Sequence, residues 1–378
     1  MTEKGKSDTE KGGHIRAARA YFYSGNALYL AGLFIYTFSP YYRSFISTEL
    51  FDYAVFPKIV RPFFEALFAV IGQNTQEFLW RAYLCYLLYS LFNVLFQSRK
   101  IELEKYRPYV FWRVLGSAIS AGMPFLKGDI QKSGPPFKWS QAERTTVLYF
   151  LLKFYYVPVM TNFLFSNIKL LFANYDKIMM IGIGLPQIIE AIYFSMLYIL
   201  LIVDTGFFTF GYLFEIKGKS EFRSVDPYFT GWLAALMCYP PLNGITCQLI
   251  GWGSTDYATF GSIPVTIAVL SLVLVLYFIY TWASVALGPK ASNLTNRGIV
   301  SWGPYRYVRH PAYICKNLAW IVLAIPLMRN GLPVILPLVL WSMVYLFRAL
   351  TEERHLLADP DYRDYCRKVR YRFIPGLY

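Results

Sequence analysis

The sequence is short of charge and of the side chains that commonly bind metals. Only 16% of its 378 residues are charged, and it contains three histidines and five cysteines. The cysteines show no CxxC spacing, and most of them lie in or beside apolar stretches, which is typical of buried free thiols. These shortages argue against a disulfide framework and against a zinc or haem site, so we expect no bound metal.

Hydrophobic residues dominate instead. They make up 56% of the chain, and aromatic residues make up 19%, which is rare among soluble domains of this length. The apolar runs have a helical period and not the alternation of a β-barrel. We therefore predict an all-α polytopic membrane protein with roughly eight to ten transmembrane helices. The strong apolar segments are 21–40, 78–97, 146–166, 186–214, 261–287, 312–328 and 331–349. Weaker segments, which could be interfacial or re-entrant, are 54–72, 109–125, 167–185 and 228–250.

The chain divides by composition into three parts. Residues 1–20 are polar and lack an apolar core, so they predict a flexible arm and not a cleavable signal peptide. Residues 21–255 form a predicted N-terminal transmembrane module, and residues 256–378 form a predicted C-terminal membrane module.

The net charge of +14 fits cationic loops that face an anionic membrane leaflet, and we expect membrane lipids and no nucleic acid as partners. Loop 288–310 follows the clearest span and carries four basic residues and no acid. By the positive-inside rule this loop is cytoplasmic.

The next two apolar helices are joined only by Arg329, Asn330 and Gly331, which predicts an antiparallel hairpin that returns the C-terminal tail to the same cytoplasmic face.

The stretch GPYRYVRHPAYICKN, residues 303–317, lies at the start of that hairpin. Pro311 suits the first position of a helix because its missing N–H is not needed there, which places His310 at or near the N-cap. The unpaired N–H groups of the helix start, with Arg306 and Arg309, offer a site for a carboxylate or phosphate. Arginines that merely extend toward lipid headgroups are an equally good explanation of the stretch alone.

After the hairpin, the acidic pair Glu352 and Glu353 returns to the same face. The pair could neutralise the basic helix start, or it could hold the hydroxyls or ammonium of a ligand whose carboxylate lies at that helix start. A zwitterionic ligand with a ribose would fit both halves.

The ordered set of motifs resembles a known family. Arg-His-Pro-x-Tyr, a helical hairpin, Glu-Glu, Tyr-x-x-Tyr and Arg-Phe-Ile-Pro follow one another over residues 285–378. This pattern is similar to that of the isoprenylcysteine carboxyl methyltransferases and of the related phospholipid methyltransferases. One departure is Cys315, which stands where the family usually has glycine.

The resemblance implies an integral membrane methyltransferase that uses S-adenosylmethionine from a cytoplasmic pocket. Its acceptor would be lipophilic, either an isoprenoid or prenylcysteine carboxylate or a lipid. For such a reaction we expect one of two arginines, Arg348 or Arg372, to orient an acidic lipid acceptor. The residues that the motifs assign to the cofactor are Tyr305, Arg309, His310, Pro311, Tyr313, Glu352 and Glu353.

Two other functional classes stay open. The tail DYCRKVRYRFIPGLY is also similar to that of the sterol reductases, which implies a membrane oxidoreductase that uses NADPH. A non-catalytic protein that kept the scaffold would bind neither cofactor. The Glu-Glu pair and the Arg-Phe-Ile-Pro-Gly ending favour methyl transfer.

A few charged residues fall within apolar segments, where ionisable groups are costly and often functional. They could line an acceptor cavity, or they could pair with one another to hold the bundle together. An acceptor that must lose a proton would also need a base, for which His355 is a weak candidate. The intramembrane charges are Lys153, Glu190 and Asp204, and Arg81 lies near the end of a span.

Overall fold

The computed structural model describes residues 3–46, 58, 60–97, 101–126, 139–179 and 184–377. These residues form thirteen α-helices, a few 3-10 turns and one two-residue β-ribbon, so the protein is an all-α membrane protein as predicted. The chain forms two compact units. The first consists of Met1–Phe51 and Pro62–Pro158, and the second consists of Asp52–Arg61 and Val159–Tyr378. The division falls inside helix α6, and not near residue 255, so the predicted functional division into modules stays a prediction.

The first unit is built on a long first helix. Helix α1 packs against α4 and α5, and the predicted arm at residues 3–20 is the first part of α1. Buried polar contacts add to this packing: Asn26 of α1 donates to Ser90 Oγ of α4 at 3.2 Å. The helices of this unit are α1 (Glu3–Phe38), α2 (Pro40–Phe45), α3 (Arg61–Ile71), α4 (Thr75–Gln97), α5 (Arg107–Leu126) and the first half of α6 (Gln141–Met179).

The second unit holds the C-terminal helices. They are α7 (Leu185–Leu213), α8 (Phe229–Leu236), α9 (Leu242–Ile250), α10 (Ile263–Leu287), α11 (Pro311–Ala324), α12 (Leu332–Leu356) and α13 (Pro360–Lys368). Helix α10 packs against both α7 and α11, and α12 packs against α8, α9 and α11. Strands β1 (Ser224–Val225) and β2 (Thr295–Asn296) pair antiparallel and join the two long loops.

Among the described residues, six helices are long and apolar enough to cross a membrane: α4, α6, α7, α10, α11 and α12. The predicted total of eight to ten spans stays a prediction. Segment 228–250 folds as the two short helices α8 and α9, of 8 and 9 residues. At 1.5 Å per residue neither is long enough to cross a hydrocarbon core of about 30 Å, which fits the interfacial or re-entrant reading of that segment.

The predicted helical hairpin is confirmed by α11 and α12. A 3-10 turn, Ile325–Asn330, follows α11, and Gly331 then adopts a φ of 73° that a residue with a side chain rarely tolerates. Two aromatic-rich cores flank the hairpin. One surrounds Tyr193, Tyr277 and Leu323 between α7, α10 and α11, and the other surrounds Trp320 and Trp341. Because these cores fix the rotation of each helix, they also decide which polar side chains face inward.

Candidate functional site

The start of α11 has the geometry that its sequence predicts. Pro311 is the first helical residue, and His310 occupies the N-cap position with a non-helical backbone, φ -125° and ψ 59°. The backbone before the helix pairs with the C-terminal tail: Arg309 N–H donates to Tyr371 O at 3.0 Å, and His310 N–H donates to Arg372 O at 2.9 Å. These bonds hold the last segment of the chain against residues 309–311 at the N-terminal end of α11, which we call the mouth of α11.

Glu353 is the centre of a buried ionic network under this mouth. Its side chain is 3% exposed. One carboxylate oxygen lies 3.0 Å from Arg309 Nη1 and 3.1 Å from His310 Nε2, and the other accepts a bond from Arg372 Nε at 2.8 Å. A buried carboxylate with three such neighbours is well compensated. Glu353 therefore joins α12 to the start of α11 and to the tail.

Glu352 points in another direction. Successive residues of a helix are about 100° apart around its axis, so Glu352 turns away from the Glu353 network and accepts a bond from Tyr313 Oη at 2.6 Å. The His310 ring stacks on the Tyr313 ring with centroids 5.3 Å apart and an interplanar angle of 11°. This stack links the mouth of α11 to the side chain that Glu352 contacts.

Most of the predicted site residues line one cavity of about 350 Å³. They are Tyr305, Arg309, His310, Pro311, Tyr313, Arg348 and Glu352. A smaller chamber of about 90 Å³, between loop 290–300 and α13, is lined by Tyr305, Arg309, His310 and Glu352 as well. Glu353 and Arg372 line neither space. Glu353 instead contacts two residues that do line them, Arg309 and His310, and Arg372 donates to Glu353.

Tyr305 stands where the two spaces meet. Burial, followed by the charge of the Glu352 carboxylate, raises the pKa of Tyr305 well above its ordinary value. Its hydroxyl therefore stays protonated and can serve as a hydrogen-bond donor to a ligand. The Tyr305 carbonyl oxygen accepts a bond from Tyr365 Oη at 2.8 Å, which ties this turn to α13.

Arg348 is held in the cavity wall by a residue that the sequence did not single out. Its guanidinium donates to the Asn293 side-chain oxygen and lies over the Tyr239 and Tyr313 rings, 5.5 and 5.1 Å from their centroids. Asn293 is followed by Leu294, whose φ of 62° is the one left-handed value of a non-glycine residue in the described part of the chain. Such a backbone costs about 1 to 2 kcal/mol, and the Asp226 N–H bond to Leu294 O at 2.8 Å helps to hold it.

Among the predicted intramembrane charges, Asp204 lines the cavity, whereas Arg81, Lys153 and Glu190 do not. Asp204 accepts bonds from Tyr280 Oη at 2.8 Å and from Ser284 Oγ. Lys316 lines the same cavity. The sequence could have indicated Lys316, because it is a lysine in the first turns of an otherwise apolar helix.

His355, the candidate base, lies elsewhere. Its Nε2 atom is 2.9 Å from Ser224 Oγ, and it lines a separate pocket of about 20 Å³.

Cys315, which replaces the family glycine, is buried and is absent from the cavity wall. All five cysteines are free thiols, and the described residues contain no cluster of His, Cys, Asp or Glu that could hold a metal ion.

Comparison with known proteins agrees with the resemblance in the motifs. Residues 264–359 match the family model described as phospholipid methyltransferase. The matched segment runs from α10 to the residue before α13 and contains every predicted site residue except Arg372. No curated protein and no solved structure matches the chain. The match supports a membrane methyltransferase in general.

Proposed function

We propose that the protein is an S-adenosylmethionine-dependent methyltransferase of membranes that acts on a lipophilic acceptor. The observation that carries this proposal is the convergence of the predicted cofactor residues, all but Glu353, on one cavity within the segment that matches the family model. The cavity volume of about 350 Å³ lies within the range of small-molecule sites, which is about 300 to 1,000 Å³.

The side chains around the cavity fit the chemistry of this cofactor. Arg309 Nε is buried and has no hydrogen-bond partner among the described residues, so a donor remains for a carboxylate beside the N-terminus of α11. The Glu352 carboxylate accepts a bond from Tyr313 and retains lone pairs for ribose hydroxyls or an ammonium group. The cavity thus offers both charges that a zwitterionic ligand with a ribose requires.

S-adenosylmethionine, when bound, supplies an electrophilic methyl group on a sulfonium sulfur. The residues of the chain would bind, align and exclude water, which suffices for an in-line transfer to an acceptor that is already an anion. In this proposal Arg309 and the start of α11 hold the cofactor carboxylate, and Glu352 holds its ribose or ammonium group. Glu353 positions Arg309 and His310 from behind.

Arg348 and Arg372 are the two alternatives that the sequence offers for orienting an acidic acceptor group, and they lie in different places. Arg348 lines the cavity beside Asn293, whereas Arg372 donates to Glu353 outside the cavity wall. We therefore keep the acceptor-binding role for Arg348 and assign to Arg372 the positioning of Glu353. The site faces the cytoplasm in this proposal, because the basic loop 288–310 contributes to its wall.

The test is a titration of the purified protein in lipid nanodiscs with S-adenosylmethionine and, separately, with NADPH. We expect S-adenosylmethionine to bind and the Glu352→Gln and His310→Ala variants to bind it more weakly. A lost hydrogen bond to a charged group is worth about 1.5 to 3 kcal/mol, or roughly 10- to 150-fold in affinity. Glu190→Gln, at a half-buried glutamate of α7 outside the cavity wall, is the matched control and should bind normally.

Each contrary result selects another class. Binding of NADPH alone would identify a membrane oxidoreductase like the sterol reductases. Binding of neither cofactor would indicate a non-catalytic protein. Unaltered S-adenosylmethionine binding in both Glu352→Gln and His310→Ala would refute the placement of the site. Transfer of labelled methyl into a prenylcysteine acid or into phospholipid vesicles would then distinguish the two acceptor classes.

A further inference from the structure

Asp226 is a buried carboxylate in which one oxygen has no hydrogen bond. Its side chain directly follows strand β1 and is 1% exposed. The Oδ1 atom accepts a bond from the Tyr228 N–H at 2.9 Å, which closes a local turn. The Oδ2 atom has no hydrogen-bond partner among the described residues, and the cation beside it, Arg354 Nη2, lies 3.8 Å away, beyond hydrogen-bond distance. The turn therefore explains one oxygen and leaves the other unexplained, since buried polar atoms are nearly always hydrogen-bonded.

Asp226 lines the pocket of about 20 Å³ that His355 also lines. We call this pocket the rear chamber, and its polar side chains are those of Asp226, Asn293, Tyr313, Arg348, Thr351, Glu352 and His355. Tyr313, Arg348 and Glu352 line the main cavity as well. The rear chamber is thus separated from the main cavity only by side chains that the two spaces share.

Gly231 provides the space that the Asp226 carboxylate occupies. A methyl group on Gly231 would lie 1.8 Å from Asp226 Oδ2, so a residue with a side chain at this position would displace the carboxylate. The backbone of Asp226 is fixed as well, because its N–H donates to Leu294 O at 2.8 Å and its carbonyl oxygen accepts from Trp232 Nε1 at 2.8 Å. The fold thus holds an acceptor without a hydrogen bond at the wall of the rear chamber.

His355 borders the rear chamber from α12. Its Nε2 atom is 2.9 Å from Ser224 Oγ, and its other ring nitrogen, Nδ1, has no hydrogen-bond partner among the described residues. A serine hydroxyl can donate or accept, so the imidazole keeps this partner whether it is neutral or protonated. His355 follows Glu352 by three residues, a spacing that makes two side chains neighbours on a helix surface.

A water molecule fits the rear chamber in both size and bonding. It needs about 10 to 15 Å³ of such space and two to four polar partners, and the chamber has about 20 Å³. A water there can donate to Asp226 Oδ2 and to Glu352 and can accept from His355 Nδ1–H. The Glu352 oxygen that does not bind Tyr313 has no partner among the described residues, so it can accept that bond.

We propose that Asp226 and His355 hold one water molecule in the rear chamber and, through it, position the Glu352 carboxylate for the cofactor. Both are positioning residues, because neither lines the main cavity. This inference rests on the proposed methyltransferase function and adds to it a support for Glu352 that no motif contains. Asp226 lies outside the segment that matches the family model, so the support joins a loop before that segment to a helix within it.

The bridge makes cofactor affinity depend on pH through His355. S-adenosylmethionine has one carboxylate, one ammonium and one sulfonium group, which gives a net positive charge. An imidazole gains its proton between about pH 8 and pH 5, and a cationic His355 beside Glu352 opposes the binding of a cation. Affinity should therefore fall as the pH falls. The charged and titratable groups around His355 are Asp226, Tyr313, Arg348, Glu352 and Arg354.

The first experiment is a titration of the purified protein in lipid nanodiscs with S-adenosylmethionine. For Asp226→Asn we expect the Kd to rise about three- to tenfold, because the amide donates toward the water and the charge is lost. Gly231→Ala should have the same effect, since its methyl group displaces the carboxylate. Gly244→Ala is the matched control, because a methyl group there meets nothing within 4 Å, and it should bind as the wild type does.

The second experiment repeats the titration at pH 8 and at pH 5.5 with His355→Asn. Asparagine keeps an N–H donor near the position of Nδ1 but cannot take up a proton, so its Kd at pH 8 should stay within about threefold of the wild-type value. Between the two pH values the wild-type Kd should rise at least about threefold more than that of the variant. His14→Asn, at an exposed histidine of α1, is the matched control and should keep the wild-type profile.

The outcomes separate this inference from the proposed function. No binding of S-adenosylmethionine by the wild-type protein refutes both. Binding that is unaltered in Asp226→Asn and Gly231→Ala refutes the role of Asp226, and a merely structural role would lower thermal stability without changing affinity or its pH profile. Equal pH profiles for the wild type and His355→Asn refute the role of His355.

A further measurement decides the case if Asp226→Asn and Gly231→Ala fail to accumulate. A structure of the wild-type protein that resolves ordered internal water should contain one water molecule in the rear chamber, bonded to Asp226 Oδ2 and His355 Nδ1. A chamber without water in a structure that resolves other buried waters would overturn the bridge.

Discussion

Replacing Glu353 by glutamine should release the C-terminal tail, whereas the same replacement at the adjacent Glu352 should not. Glu353 binds Arg309, His310 and Arg372 at 2.8 to 3.1 Å, and its side chain is 3% exposed. Glutamine keeps the shape and an acceptor oxygen but removes the charge. The two guanidinium groups then lose their common anion, and the tail loses the side-chain bond that supplements its backbone pairing with the mouth of α11.

The magnitude follows from the burial of the partners. Removing one member of a buried ion pair costs about 3 to 5 kcal/mol because an uncompensated charge remains. Here Arg309 is 12% and Arg372 is 26% exposed, so water takes over part of their charge and we expect about 2 to 3 kcal/mol. Glu352 accepts a bond from a neutral hydroxyl, that of Tyr313, which glutamine can also accept, so its replacement should change stability by less than about 1 kcal/mol.

The assay is limited proteolysis of the purified proteins by trypsin, which cleaves after Lys368, Arg370 and Arg372. A loss of about 2 to 3 kcal/mol in local stability raises the open population of the tail roughly 30- to 150-fold, and cleavage should rise with it. The rate of cleavage elsewhere in the chain is the internal control. Equal cleavage rates in the two variants, or an unchanged rate in Glu353→Gln, would show that the tail is held by its backbone bonds alone.

Two further predictions concern stability. Burial raises the pKa of Asp359, but bonds from the Asn296 side chain, the Asp361 N–H and Arg223 outweigh burial and hold it below its ordinary value. The stabilisation by the ionised group is therefore present above pH 4 to 5 and is lost as the pH falls through the lowered pKa. Asp359→Asn keeps an equally good N-cap. It should lower the free energy of unfolding by about 1 kcal/mol at pH 7, and in pH-dependent unfolding this difference should shrink steadily as the pH falls below 4. A methyl group on Gly253 would lie 2.2 Å from Val334 O, whereas one on Gly244 inside α9 would meet nothing within 4 Å. We thus expect Gly253→Ala to destabilise by about 1 to 3 kcal/mol and Gly244→Ala to stabilise by about 0.5 to 1 kcal/mol; equal thermal midpoints for the two variants would contradict this.

Asp204 lines the same cavity as the residues of the matched segment, although it lies outside that segment. Helices α6 and α7 contribute one wall of the cavity, and neither lies within residues 264–359. In the proposed function the cofactor side of the site comes from the segment that matches the family, while α6 and α7 shape the side that faces the acceptor. In the proposed function these helices adapt a shared methyl-transfer site to the acceptor of this protein.

The sequence determined the features that depend on neighbours a few residues apart. Apolar runs with a helical period specified α7, α10, α11 and α12, and a proline after His310 specified where α11 begins. The order of the motifs around a short hairpin was enough to bring the mouth of α11 near Glu352 and Glu353, because a hairpin returns the chain to the face it left. The family resemblance followed from the same local order, and the match confirms it.

The tertiary structure alone decided which polar groups share the cavity. The sequence treats Glu352 and Glu353 as equivalent, and only the rotation of α12 turns one toward the cavity and the other toward Arg309 and Arg372. Asn293 and Asp204 join the site from distant parts of the chain. Helix rotation and depth are set by packing between side chains far apart in sequence, such as the core between α7, α10 and α11, and no local pattern contains that information.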